Sequence, residues 1–181
     1  MKRALIVMLS ITILPSVALS AVQEKSHLLQ ATTAALVVQS LQLGEKAQQL
    51  FAIKDNLIKI VRAKKNSLTS QQDLMIDAAT EMKYIATVAY FEGNLLGAVL
   101  AIKDEFKLHF INDRILELEN AVKGTMSSLQ AIQISHSAIE DATIRQQMDK
   151  SIKVVQSLLE AYRNSITILH KMKRNKWENK R

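Results

Sequence analysis

The stretch Leu29–Ile60, LQATTAALVVQSLQLGEKAQQLFAIKDNLIKI, decides the fold. Leu29, Leu36, Leu43, Leu50 and Leu57 recur every seven residues, and Val37, Phe51, Ile53, Ile58 and Ile60 widen the stripe. A seven-residue recurrence keeps side chains on one face of an α-helix, whereas a strand needs alternation every second residue. The pattern predicts one long helix from about Val22 to Asn66, with Gly44 as a weak point. Lys59, Arg62, Lys64 and Lys65 crowd its last turns, where the helix dipole favours cations.

Downstream, Thr69-Ser70-Gln71-Gln72-Asp73 reads as a capping box, Thr69 with Gln72 or Ser70 with Asp73. It opens a second predicted helix whose apolar positions include Met75, Ala78, Met82, Ile85, Ala89, Leu96, Val99 and Phe106, running to about His109. Asn112 or Asp113 caps a third, with Ile115, Leu118, Val122, Leu129 and Ile132 inside. The seven-residue phase fails near Ser135 to Thr143, because its continuation meets His136, Thr143 and Lys150. A new stripe starts at Ile144 and passes through Met148, Ile152, Val155, Leu159, Tyr162, Ile166 and Leu169, to about Lys173. Short connections favour antiparallel neighbours, so the expected fold is an all-α, up-down-up-down four-helix bundle. The alternative is three long helices, the third continuous from about 113 to 173.

Upstream of the bundle the sequence has the form of an export signal. Lys2 and Arg3 precede an eleven-residue apolar run, Ala4 to Leu14. Pro15 is expected to break the helix, and Ala18-Leu19-Ser20 fits a signal-peptidase site. The expected organisation is a cleavable signal over 1–20, a bundle over 21–170 and a basic tail over 171–181, in a periplasmic or secreted protein. The runner-up is an uncleaved N-terminal anchor.

Of the 181 residues none is Cys, one is Pro and 4 are Gly. Without cysteine there is no disulfide framework, thiolate metal site, c-type haem attachment or cysteine nucleophile. A hydrophobic share of 48% argues against disorder. No Gly-rich phosphate loop, G-x-S-x-G or H-E-x-x-H is present.

The candidate sites follow from what remains. His27, His109 and His170 fall near one end of the expected bundle, where imidazoles ligate zinc, copper, nickel or haem. Terminal-turn histidines are more often surface residues, so no cofactor is expected. Glu92 lies on the inward stripe of helix two, within the weakly polar run Tyr84–Ile102, which also holds Gly93-x-x-x-Gly97. Read as a membrane span, that run places a carboxylate at the bilayer centre. Read as a bundle helix, it is a close crossing at the glycines with Glu92 paired or reaching the surface; a third reading, a buried acid of raised pKa, makes no mechanism without a partner acid or a nucleophile. Tyr84, Tyr90, Phe91 and Phe106, at helical spacing, are expected in the core rather than in a ligand groove.

Charge is uneven. The formal net charge is +7, yet basic and acidic residues balance over 23–170. The excess of the mature chain sits in the tail: Lys171, Lys173, Arg174, Lys176, Lys180 and Arg181, around Trp177 and against one acid, Glu178. An indole among cations suits a lipid headgroup surface or an anionic polymer, and export makes nucleic acid the less favoured partner.

Export signal, long cysteine-free helices and a basic tail occur together in periplasmic chaperones, cytochrome-like bundles and appendage subunits, and no motif selects among them. The expected function is binding without catalysis, as an interaction, assembly or chaperone-like module of the bacterial cell envelope. Its partner would be a protein or an anionic envelope surface, with homo-oligomers through helix faces as a further option. The alternatives are a haem- or metal-binding periplasmic bundle and a small membrane protein spanning 84–102.

Overall fold

The computed structural model describes the backbone over residues 2–64 and 71–176, and side chains over 27–64, 71–104 and 106–174. Four helices follow one another: α1 Lys2–Ala63, α2 Gln72–Ala98, α3 Asp104–Ala138 and α4 Ala142–Lys176. Each packs on its neighbours in chain order, and α4 returns against α1, which closes the antiparallel four-helix bundle. The three-helix alternative is not realised.

The leucine stripe of α1 builds the core. Leu36, Leu43, Leu50 and Leu57 are fully buried, as are Met75, Met82, Ile85 and Leu96 of α2. Ile111, Leu118 and Ile132 of α3 and Ile144, Met148, Val155, Tyr162 and Leu169 of α4 complete it. Burying one such side chain is worth about 1.5–3 kcal/mol, so the shared face holds the helices together. Leu29 is the exception and lies exposed. The antiparallel register set by Lys64 against Asp141 brings Lys176, the last helical residue of α4, level with Leu29.

Four boundaries differ from expectation. The first helix starts at Lys2, not near Val22, and passes through Pro15. A proline forfeits one hydrogen bond of the ladder, and the apolar helix formers on both sides carry the helix past it. The expected signal sequence, 1–20, lies outside the described side chains. The capping residues Thr69 and Ser70 lie outside the described residues; the N-cap of α2 is Gln71, which makes no side-chain capping bond.

The second helix ends at Ala98, about a turn past Gly93, and not near His109. Val99, Leu100 and Ala101 donate to Leu96, Gly97 and Ala98, three residues back, which tightens and ends it. Lys103 is extended (φ −60°, ψ 145°) and α3 begins at Asp104, before the expected caps Asn112 and Asp113. Acidic Asp104 and Glu105 suit that first turn. The run 84–102 is therefore not one helix. Among the described residues no helix is long and apolar enough to cross a membrane.

Candidate functional site

Two places depart from simple bundle packing. The first is inside it. Gly93 of α2 lies against α1, where Ser40 Oγ donates to the Gly93 carbonyl at 2.7 Å. A Cβ at Gly93 would meet the Ser40 carbonyl oxygen at 3.0 Å and the Gly44 nitrogen at 3.3 Å. The glycines thus serve a close helix crossing. One residue earlier, Glu92 points towards α3 at 8% exposure, and Arg114 receives it at 7%.

The pair is loose. Arg114 Nη1 lies 3.6 Å from Glu92 Oε2, while its Nη2 donates to Glu117 Oε1 at 2.7 Å. The guanidinium also covers the Phe110 ring, 5.4 Å from its centroid. Glu92 Oε2 and Arg114 Nε and Nη1 are buried without a hydrogen bond. Burial pushes the Glu92 carboxyl above its ordinary range, and Arg114 opposes the shift. Burial, and then the charge of Glu92, hold the Tyr162 phenol high.

Arg114 was not visible as a site residue while helix two was extended to His109. Its signal is positional: it shares the inward face of α3 with Ile111, Leu118 and Thr125, and a buried acid requires a cation. The arrangement pairs a charge inside the bundle; it presents no nucleophile beside a base.

The second place is one end of the bundle, formed by the α4 C-terminus, the α2–α3 turn and α1 near Leu29. We call it the tail end. Leu28, Leu29, Val37, Val38 and Leu41 of α1 are exposed there, Leu41 to 68%. Tyr90 and Phe91 of α2 and Phe106 of α3 are exposed close to it, Phe106 to 63%. The core expectation for Tyr84, Tyr90, Phe91 and Phe106 is thereby corrected. On α2 the buried face is Met82, Ile85, Ala86, Ala89, Glu92 and Gly93, and the helical period turns Tyr84 and Phe91 off it. Phe106 belongs to the first turn of α3, not to the stripe of α2. Tyr90 and Phe91 meet edge to face with centroids 6.1 Å apart.

The basic segment begins at this end. Lys171 and Arg174 are exposed, Lys173 is half-buried, and Met172 between them is in the core. The bundle therefore extends beyond His170 into the segment read as tail. Lys176 is the last helical residue; its side chain, and Trp177, Lys180 and Arg181, lie outside the described residues.

His27 and His170 are exposed at the tail end. His109 is 87% exposed, with its Nε2 3.5 Å from Asp113. The structure does not converge these three. No group of three or more His, Asp or Glu that could hold a metal ion occurs among the described residues. His136 lies towards the opposite end, its Nε2 2.9 Å from Asp149.

No protein-family model, curated protein or solved structure matches the chain.

Proposed function

We propose that this chain is an exported helical-bundle protein of the bacterial cell envelope that works by binding and not by catalysis. The observation that carries the reading is the tail end. Exposed Leu28, Val38, Leu41, Phe91 and Phe106 lie on the side of the bundle's midpoint where α4 ends, and Ile76, Leu116, Met126 and Ile134 are exposed elsewhere on α2 and α3. Large apolar side chains left in water on several helices offer contacts that a partner could cover. Localisation rests on the sequence of residues 1–21, with its cationic start, apolar run and small-residue site.

Site-specific photocrosslinking in intact cells tests it. A photoreactive residue at Leu41 or Lys171 should form adducts, while one at exposed Ile76 or Ile134, towards the other end, should not. Adducts from neither end, or equally from both, would contradict the reading.

A further inference from the structure

We infer that ionisation of Glu92 opens the C-terminal end of α2, so that the Glu92–Arg114–Glu117 cluster acts as a proton-set latch between α2 and α3. The latch needs no partner and stands independently of the binding reading above. Its basis is one guanidinium placed between two carboxylates. Arg114 Nη2 is committed to Glu117 Oε1 at 2.7 Å, and Nη1 stops 3.6 Å from Glu92 Oε2. The Glu117 side chain is 49% exposed, whereas those of Glu92 and Arg114 are only 10% and 8% exposed. The rim acid therefore has both the better bond and the solvent. The inner acid keeps an oxygen without a hydrogen bond. A carboxylate so placed is relieved either by taking up a proton or by reaching water.

The remaining groups around Glu92 supply no second cation. From α1, Ser40 and the Gly44 backbone approach at this level, and neither titrates. Glu45 and Lys46 of α1 line a groove against α4 with Glu160. From α4, the Tyr162 phenol feels the Glu92 charge, while Arg163 and His170 are exposed. On α3, His109 lies beside Asp113 in water, and on α2 Lys83 and Tyr84 are exposed. Burial outweighs Arg114 and leaves the Glu92 carboxyl above its ordinary range.

The backbone beyond Glu92 is suited to opening. Gly93 and Gly97 hold a helix weakly. The ladder then passes into three-residue bonds from Val99, Leu100 and Ala101, and Lys103 is extended. Segments of this kind open locally while the rest of the fold stays intact. The closed form, with Glu92 buried, binds the proton more tightly than the open form. Opening is therefore suppressed at low pH and grows as pH rises through the raised value.

The test is amide hydrogen exchange, read as protection relative to the intrinsic rate, at 93–101 and in the core of α4 at 144–158. Protection at 93–101 should lie below that at 144–158 and fall several-fold from about pH 4 to about pH 8. Glu92→Gln should hold protection at 93–101 constant over that range. Glu117→Gln, at the exposed rim, frees Arg114 for Glu92 and should raise protection at 93–101 several-fold at the upper pH.

Equal protection of 93–101 and 144–158 at every pH would mean that Glu92 acts only through global unfolding, and would overturn the inference. Protection at 93–101 that does not change with pH, or a fall that persists in Glu92→Gln, would overturn it as well. No rise in Glu117→Gln would show that Arg114 is not shared between the two acids, and the latch would be lost with it.

Discussion

The two ends of the bundle are built on opposite plans. At the end away from the tail, the connection between α3 and α4 is tied down at several points. Asp141 Oδ1 accepts from the Thr143 and Ile144 amides at 2.9 and 3.1 Å, an N-cap for α4. Its Oδ2 receives Lys64 Nζ at 2.5 Å, which joins α1 to α4. Gln71 Oε1 accepts from the Glu140 amide at 3.2 Å, and Arg145 donates to the Glu140 carbonyl at 2.8 Å. At the tail end, apolar side chains face water, and beneath them Glu92 and Arg114 make a loose buried pair with orphaned atoms. The α3–α4 connection is thus tied by side-chain bonds between segments, while the buried pair towards the tail end leaves polar atoms without partners.

The largest effect should come from the buried pair. Arg114→Ala leaves Glu92 charged and unpaired in the core and should cost about 3–5 kcal/mol in urea unfolding. A loss under about 1 kcal/mol would mean that the pair does not hold α2 to α3. The two ends should also respond to pH with opposite sign. Glu92 has a raised folded pKa, so its contribution is full below its ordinary 4.5 and declines as pH rises through the raised value. Asp141, lowered from 3.8 chiefly by its bond from Lys64, contributes above 3.8 and loses that contribution as pH falls. Glu92→Gln should abolish the first trend and leave the second, as followed by unfolding midpoints across pH.

Next comes the α1–α2 crossing. Gly93→Ala forces a methyl onto α1 backbone and should cost about 1–3 kcal/mol. Gly44→Ala meets nothing within 4 Å and should gain about 0.5–1 kcal/mol from helix propensity. Equal effects at the two glycines would remove the crossing from the account. The smallest effects compare the ends directly. Asp141→Ala should cost about 0.5–2 kcal/mol through the lost cap. Phe106→Ser, at an exposed site, should stay within about 0.5 kcal/mol. Matching losses would erase the contrast.

The bundle was legible because the heptad leucines Leu36 to Leu57 and the new phase from Ile144 are periodic signals long enough to fix helix type and face. The end of α2 was not. Periodicity runs on through buried Val99 to Phe106 without a proline, and the break depends on a three-residue hydrogen-bonded turn after Gly97. That error carried Phe106 into a core it does not enter and hid Arg114 from Glu92. The histidines show the converse limit. Helix register placed His27, His109 and His170 towards one end, but it did not tell which way each ring points, and convergence of ligands depends on that.

Leu41 and Ile134 are both exposed and lie towards opposite ends of the bundle. The most direct measurement is the yield of adducts from a photoreactive residue at each position in intact cells. Binding on the tail side predicts adducts from Leu41 and none from Ile134. Equal yields from the two, or none from either, would contradict it.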